Sequence, residues 1–439
     1  MNNISRALAD IEAKLAVPAS LMHEMATRLQ RAMQDGLTGK TSSLKMLPSF
    51  LGVPTGREQG MVVAVDFGGT NVRVLLIELA GNGQTYIIDK RIFPLKGKDG
   101  KYDYTAPTAS GVQLFDFIAG KIAEIVPTDD KKYPMGHTFS FPCHQYDVNQ
   151  AELIIWTKEI KTTGVEGQNV GQLLQEALER RGLGQVRSQA IINDTTGTLI
   201  TSAYSDNTTD IGAICGTGHN SCYLEPNHPL TNQPMIVNLE SGNFDQMPQT
   251  IYDEYLDKHS EKPGAQRLEK MASGQYLGEV VRIIVSSLVA AGYIAVAADE
   301  LHIPYSLHTE DLSAILADDT PNLEIIANVV TNCWRMGQLK VDERAALKTI
   351  AGLVAARSAR LAAATWAGVL RKIDPELSRR HTIAVDGSLY EKMPGYAEEL
   401  AQAMIDVLGV GAKQVTIRLS KDGSGIGAAI AAATVYGSK

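Results

Sequence analysis

The chain has 439 residues, of which 44% are hydrophobic and 21% are charged. This length exceeds the roughly 250–300 residues at which a single hydrophobic core stops growing, so we expect two lobes. Lys and Arg number 41 against 49 Asp and Glu, which gives a net charge of -8. This acidic balance argues against nucleic acid as the main partner. A phosphate site in such a chain would depend on backbone N–H groups and a metal.

The cysteines and the N-terminal segment indicate in which cellular compartment the protein is expected. The sequence has four cysteines and no CxxC pair, which favours a reducing, cytoplasmic setting over a disulfide framework. The first residues, MNNISRALADIEAKL, lack the apolar core and the cleavage site of a signal peptide. The longest apolar stretch, 283–298, is shorter than the ~20 residues of a membrane span, so we interpret it as a buried helix.

Apolar spacing in the first half of the chain alternates between helix and strand periods. Helices are predicted over 4–34 and 112–125. The predicted strands are 61–66, 72–79, 86–93, 135–139 and 189–193. The first two strands form a hairpin whose turn is rich in N–H and hydroxyl groups, and the third completes a meander.

The second half opens with a similar hairpin, whose strands at 211–215 and 220–224 flank a short glycine-containing turn. Two such hairpins are what a duplicated phosphate-binding fold would produce, although the sequence repeat is weak. Further helices are predicted at 275–291, 321–337, 341–372 and 426–435, and further strands at 382–385 and 414–419. No Pro-rich linker separates these segments, so we expect closely packed lobes.

Each of the two hairpin turns carries a threonine among glycines. The first contains Asp66, Gly68, Gly69, Thr70 and Asn71. Its glycines let backbone N–H groups approach phosphate, Thr70 adds a hydroxyl, and Asp66 can hold metal-bound water. The structural alternative is a tight turn that only requires glycine. The second turn, Gly216-Thr217-Gly218, matches the first, and together they predict a clamp on nucleotide phosphates.

Asp194 follows an apolar strand and precedes a small-residue helix in the segment INDTTGT. A carboxylate at a strand end of an α/β fold projects into the crevice between lobes. The alternative is that Asp194 only caps the helix that it precedes.

Other glycine-rich and metal-binding patterns are weaker. Gly39-Lys40-Thr41 lacks the first glycine of a P-loop and a preceding strand, so we reject it. The segment 423–427 has GxGxG spacing and is better interpreted as a loop that packs against a flat ligand such as adenine. The nine histidines show no metal-binding spacing, so no protein-built metal site is predicted.

Read in order, these segments resemble hexokinases along nearly the whole chain. The matching motifs are HTFSFPC (137–143), WTKEIKTTGVEG (156–167), INDTTGT (192–198), GAICGTGHNSCYLE (212–225), NLESGNF (238–244), KPGAQRLEKMASGQYLGE (262–279), VDGSLY (385–390) and SKDGSGIGAA (420–429). The resemblance implies an α/β fold of two actin-like, ribonuclease H-like lobes around a deep cleft.

The resemblance also implies the site residues. The implied sugar site comprises Ser140, Thr157, Lys158, Asn193, Asp194, Asn220, Glu240 and Glu269. Asp194 would act as general base toward the sugar 6-hydroxyl, and Lys158 would stabilise charge near the reacting oxygen. The implied nucleotide site comprises Asp66, Gly68, Gly69, Thr70, Asn71, Gly216, Thr217, Gly387, Ser388 and Gly423. Without the motif, Glu269 would be interpreted as a solvated helix charge beside Lys270.

The lobes are expected to divide the chain in sequence order. Residues 1–60 would form a helix and a lead-in segment on the large lobe, 61–193 the small lobe, 194–425 the large lobe, and 426–439 a helix returning to the small lobe. Mg²⁺ would be held by ATP phosphates and water, near Asp66 and Asp194.

The predicted activity is transfer of the γ-phosphoryl of Mg-ATP to the 6-hydroxyl of glucose, the first step of glycolysis, with mannose or fructose as poorer substrates. The alternative from another class is a hexose sensor that binds sugar without catalysis. An actin-like or chaperone-like ATPase would not explain the implied sugar-binding residues. The bacterial sugar kinases with a zinc motif require closely spaced cysteines, which this sequence lacks. We expect a cytoplasmic protein with no nucleic acid partner and no membrane segment, and the sequence leaves a homo-oligomer open.

Overall fold

The computed structural model describes residues 3–157, 159–294 and 296–437. Within these ranges the strands are β1 Leu47–Pro48, β2 Gln59–Phe67, β3 Asn71–Gly81, β4 Gln84–Pro94, β5 Tyr133–Phe139, β6 Cys143–Asp147, β7 Gln150–Leu153, β8 Val186–Ile192, β9 Thr209–Cys215, β10 His219–Glu225, β11 Met235–Asn238, β12 His381–Asp386 and β13 Val415–Leu419. The α-helices are α1 Asn3–Leu15, α2 Ala19–Leu37, α3 Gly111–Ala123, α4 Val170–Arg180, α5 Asp194–Ser205, α6 Ile251–His259, α7 Arg267–Ala272, α8 Gly274–Ala290, α9 Thr309–Ala317, α10 Glu324–Trp334, α11 Val341–Ile373, α12 Ser388–Lys392, α13 Tyr396–Leu408 and α14 Gly423–Gly437.

The two large sheets share one topology. The first sheet has the order β4-β3-β2-β5-β8, with an antiparallel meander β2 to β4 and parallel strands β5 and β8. In the second sheet, β11-β10-β9-β12-β13 repeats this pattern, and the short β1 adds to the edge at β11. The predicted two-lobe α/β fold is therefore confirmed, and the weak sequence repeat corresponds to a clear repeat of topology.

Three apolar cores hold these layers together. The largest packs α1, α2, α8 and α11 against the second sheet, and another packs α3 and α4 against the first sheet. The third core lies between the sheets and contains α5 and α14. There, Ala64 and Leu75 of the first sheet and Cys222 and Ile236 of the second sheet belong to one buried cluster. Helix α5 contacts both sheets, and α14 packs on α5 and on the first sheet, so this helix pair sets how the two halves of the site face each other.

The single helix predicted over 4–34 is wrong. The structure has two helices, α1 and α2, separated at Ala16, Val17 and Pro18. Pro18 is the N-cap of α2 with φ of -67° and ψ of 163°, an extended conformation that leaves the helical path. Proline at a helix boundary is expected, because its ring clashes with the preceding turn of a continuing helix.

The helix predicted at 275–291 is confirmed as α8, which ends at Ala290. The interpretation of 283–298 as one buried helix is wrong, because Gly292 follows with φ of 74°. The helix predicted at 321–337 is shorter than predicted. Helix α10 begins after Leu323 and ends before Arg335, and both of these flanking residues have left-handed backbone conformations. The long helix predicted over 341–372 is confirmed as α11.

The predicted loop at 423–427 is also wrong, because these residues form the first turns of α14. Their glycines are buried and serve helix packing. A β-carbon at Gly423 would lie 3.0 Å from the α-carbon of Thr198 in α5, and one at Gly427 would overlap the backbone of Gly197. The GxGxG spacing therefore reflects close contact between two helices.

Candidate active site

The first glycine-rich turn joins β2 to β3, as the sequence predicts. The Gly68 N–H donates to the Asn71 carbonyl at 3.0 Å and closes the turn. The Asn71 side-chain amide donates to Thr70 Oγ1 at 2.9 Å, and the Leu95 N–H donates to the Thr70 carbonyl at 2.9 Å. These bonds fix the Thr70 hydroxyl at the tip of the hairpin.

Asp66 lies at the end of β2, beside that turn. Its Oδ2 accepts hydrogen bonds from Arg73 of β3 and from the Ser424 hydroxyl of α14, both at 3.1 Å. Ser424 also accepts, through its carbonyl oxygen, a hydrogen bond from the Thr138 hydroxyl at 2.7 Å. The start of α14 thus ties the first turn to strand β5.

The second turn, Gly216-Thr217-Gly218, joins β9 to β10 as predicted. The first turn of helix α8 holds it, because the Gly274 and Gln275 N–H groups donate to the Gly216 and Thr217 carbonyls at 2.8 and 3.1 Å. A β-carbon at Gly216 would lie 3.2 Å from the α-carbon of Gly387. The structure therefore brings Gly387, and Ser388 beside it, to the second turn.

Asn193 and Asp194 lie where β8 ends and α5 begins. The N-cap is Asn193, whose Oδ1 accepts from the Thr195 N–H at 2.9 Å and from the Thr195 hydroxyl at 2.6 Å. The proposed capping role of Asp194 is therefore wrong. Asp194 is the first helical residue, and its Oδ1 lies 2.8 Å from the Thr195 nitrogen.

Asn220, Glu240 and Glu269 come together from three segments of the second half. The Asn220 amide donates to Glu240 Oε1 at 3.0 Å, and Glu269 Oε1 accepts from the His219 N–H at 3.2 Å. Gly218 and Gly242 flank Glu269, since β-carbons there would lie 3.2 and 3.0 Å from its side chain.

The electrostatics of Glu269 indicate that Glu240 and Asp194 lie close enough for their charges to act on it. Burial raises the pKa of Glu269, and the charges of Glu240 and Asp194 raise it further. The neighbouring Lys270 does not form a solvated surface pair with Glu269. The Lys270 ammonium is buried and forms an ion pair with Asp257 at 2.5 Å. The interpretation of Glu269 as a solvated helix charge is therefore wrong.

Ser140 and Thr157 lie on the first sheet's side, each next to an aromatic residue of one cluster. Phe139 and Trp156 immediately precede them, and these two rings are 5.9 Å apart. Trp156 is held at both ends, because its backbone N–H donates to Glu166 at 2.8 Å and its indole N–H donates to the Thr162 carbonyl at 2.8 Å. Lys158 lies outside the described residues.

Two polar residues near these groups lie within the motifs VDGSLY and NLESGNF but were not predicted as site residues. Asp386 ends β12 directly before Gly387, and burial raises its pKa, although hydrogen bonds from the Gly387 and Gly423 backbone lower it in part. The rule that selected Asp194, a carboxylate at a strand end, would also have selected Asp386. Asn238 ends the buried strand β11 and bonds both Asn220 and Glu240.

Within the described ranges, no three His, Cys, Asp or Glu side chains converge as a metal site. Each of the four cysteines is a free thiol there. None of the helices in that part of the chain is both long and apolar enough to cross a bilayer.

Comparison with known proteins decides the family. Two family models, both described as hexokinase, match residues 7–204 and 210–434. The chain belongs to the hexokinase family. Hexokinase-1 of Schizosaccharomyces pombe is 36% identical over 97% of this chain and 90% of its own length, and Hexokinase-7 of rice is 36% identical over 97% and 96%. The predicted hexose kinase is thereby confirmed.

Solved hexokinases share its fold. A hexokinase crystal structure superposes with a TM-score of 0.88 at 32% identity, covering 98% of this chain and 99% of that one. The hexokinase of Schistosoma mansoni, solved in complex with glucose, gives a TM-score of 0.83 at 33% identity with the same coverage of both chains.

Proposed function

We propose that this hexokinase transfers the γ-phosphoryl group of Mg-ATP to the 6-hydroxyl of glucose, with mannose and fructose as poorer substrates. The observation that carries the proposal is the polar cluster in which the Asn220 amide bonds Glu240 and the His219 N–H bonds Glu269. Asp194 lies close enough that its charge, like that of Glu240, raises the pKa of Glu269. Three carboxylates and the Asn220 amide suit a ligand that offers many hydroxyl donors. The Schistosoma mansoni relative was solved with glucose, which supports this choice of hexose.

Asp194 is the proposed general base. It stands at the start of α5, directly after strand β8, and its charge acts on Glu269. As the sugar oxygen bonds to the γ-phosphorus and the bond to the β-phosphate oxygen breaks, Asp194 accepts the hydroxyl proton. Lys158 is proposed to stabilise charge near that oxygen, and Ser140, Thr157 and Asn193 to bind further hydroxyls.

The two glycine-rich turns are proposed to hold the nucleotide phosphates through Thr70 and Thr217, with Gly387 and Ser388 beside the second turn. Mg²⁺, when bound, neutralises phosphate charge. Asp66, whose carboxylate lies beside the first turn, would hold water bound to such an ion. Residues 61–193 and 194–425 are proposed to be the lobes that close over sugar.

The proposal extends to the setting of the enzyme. Four free thiols are compatible with a reducing, cytoplasmic location, and cell fractionation of the native protein checks this. A location in an oxidising compartment would contradict it.

The deciding experiment measures ADP release from Mg-ATP by the purified protein, with and without glucose, and glucose 6-phosphate by an independent assay. We expect ADP release that depends on glucose and equals the sugar phosphate formed. ADP release without sugar phosphate would contradict the proposal. If Trp156 fluorescence changes on adding glucose but no sugar phosphate forms, the protein is a hexose sensor and not a kinase.

A further inference from the structure

Asn238 occupies a buried position behind the proposed sugar site. It is the last residue of β11, lies opposite Leu47 of β1 and Cys222 of β10, and is only 5% exposed. A buried polar side chain requires hydrogen-bond partners, because an unpaired one loses its bonds to water without replacement. Its partners are therefore informative about its role.

The amide of Asn238 makes three hydrogen bonds. Its Oδ1 accepts from the Asn220 amide at 3.0 Å and from the Glu240 backbone N–H at 3.1 Å, and its Nδ2 donates to Glu240 Oε1 at 2.8 Å. Exchanging oxygen and nitrogen would set donors against donors and an acceptor against an acceptor. The network therefore fixes the orientation of the amide.

These bonds act on Glu240 in two ways. Its backbone has φ of 52° and ψ of 51°, a left-handed conformation that is uncommon for a residue with a side chain, and the bond to Asn238 Oδ1 stabilises it. Its carboxylate receives both the Asn220 and the Asn238 amides at Oε1, so among the described contacts Oε2 is the oxygen left for a ligand.

We propose that Asn238 is a positioning residue for the sugar, holding the Glu240 carboxylate turned so that Oε2 meets a sugar hydroxyl. This inference rests on the proposed function, in which Glu240 binds the sugar. Asn238 itself touches no substrate. It acts through Glu240 and, by the same amide, keeps Asn220 in line with that carboxylate.

The test is the isosteric variant Asn238→Asp. It keeps both acceptor bonds, removes the donor to Glu240 and sets a carboxylate against a carboxylate. We expect the KM for glucose to rise about 10- to 100-fold, because a hydrogen bond to a charged group is lost, while kcat stays within about threefold.

The effect of Asn238→Asp should also depend on pH. Because the two carboxylates at positions 238 and 240 can share a proton, the ratio of variant to wild-type KM should be smaller at pH 6 than at pH 8. Glu269 and Asp194 are the other carboxylates of this site, and both are present in the variant and in the wild type.

Asn243→Asp is the matched control. The Asn243 amide donates to the Glu240 backbone carbonyl at 3.3 Å, so this change adds the same charge to the same loop without touching the Glu240 carboxylate. We expect a KM within about twofold of the wild type. An equal loss in both variants would overturn the inference, since general charge in the loop would then explain it.

A double-mutant cycle with Glu240→Gln keeps the test decisive if Asn238→Asp alone is unstable. In the double variant, the amide introduced at position 240 can donate a hydrogen bond to the carboxylate introduced at position 238. Donor and acceptor are exchanged relative to the wild type, and the repulsion between two carboxylates is absent. We expect Asn238→Asp to raise KM less than about threefold in the Glu240→Gln background. A full further loss there would show that Asn238 does not act through Glu240.

Glucose titration by calorimetry separates this inference from the proposed function. A wild type that binds and phosphorylates glucose, with an Asn238→Asp variant that does so equally well, overturns the inference alone. A wild type that binds glucose without phosphorylating it contradicts the proposed function, while the binding comparison still decides the role of Asn238. A wild type that does not bind glucose overturns both.

Discussion

Gly427 of α14 lies against Gly197 of α5 so closely that a β-carbon at Gly427 would overlap the Gly197 carbonyl oxygen and α-carbon. Helix α5 begins at Asp194, and Ser424 near the start of α14 bonds Asp66. A single helix contact therefore links the proposed general base to the first phosphate turn.

This contact predicts that Gly427→Ala lowers the free energy of unfolding by about 1–3 kcal/mol, because backbone atoms cannot yield as a flexible side chain does. Urea unfolding followed by circular dichroism measures it. Gly437→Ala is the control, since a β-carbon there meets no described atom within 4 Å. Equal stability of the two variants would contradict the packing argument.

Asp194→Asn should reduce kcat by about 10²- to 10⁴-fold, because the amide cannot accept the proton of the sugar hydroxyl. Calorimetric titration should still detect glucose binding, since the side chain keeps its shape. Asp116→Asn, at a half-buried position of α3 that pairs with Arg180, serves as the control and should retain activity. An unchanged kcat in Asp194→Asn would remove the residue from its proposed role.

Glucose affinity should weaken as the pH falls through the raised pKa of Glu269. Burial and the neighbouring charges of Glu240 and Asp194 raise that pKa, so Glu269 takes up a proton at a higher pH than an ordinary glutamate and then accepts hydroxyl bonds less strongly. Glu269→Gln should raise KM about 10- to 100-fold and flatten this dependence. If glucose affinity still falls steeply at low pH in the variant, the pH dependence belongs to another group.

His137 should make the protein less stable in acid. It is fully buried, its ring nitrogens have no hydrogen-bond partner among the described residues, and burial lowers its pKa to about 3. The unfolded chain takes up the proton near the ordinary pKa of about 6.5 and the folded chain does not, so the free energy of unfolding falls as the pH drops from there toward 3.

The variant His137→Leu removes this titration. Between pH 7 and pH 5 we expect it to lose about 2 kcal/mol less stability than the wild type, as measured by urea unfolding at each pH. His144→Leu, at an exposed position of β6, is the comparison and should follow the wild type. Parallel pH profiles for all three proteins would count against the role of His137.

Much of the fold follows from local sequence. The hairpins at 59–81 and 209–225 could be predicted because alternating apolar strands surround turns in which glycine fits directly. The N-terminal helices were predicted as one because their apolar spacing continues across Pro18. The extent of α10 could not be predicted, because Leu323 and Arg335 adopt left-handed conformations that neither residue favours on its own.

The proposed site divides in the same way. The sequence motifs select Asp194, Asn220, Glu240 and Glu269 through family resemblance, and the positions of Ser140 and Thr157 follow from the segments that carry them. Asn238 begins the motif NLESGNF, but nothing local indicates that it positions Glu240, because a polar residue at the end of an apolar strand is ordinary. Its three bonds appear only when β10, β11 and the Glu240 loop are assembled.

The sequence by itself determined the α/β class, the two glycine-rich turns and the hexokinase family, because strand periodicity and turn chemistry are local properties of the chain. Only the tertiary structure decided that 423–427 is a packed helix, that Asn193 caps α5, and that Glu269 is buried where the charges of Glu240 and Asp194 act on it. The physical reason is distance along the chain: burial, shared charge and helix contact depend on segments that are far apart in sequence, such as those of Gly197 and Gly427, whose approach no local pattern encodes.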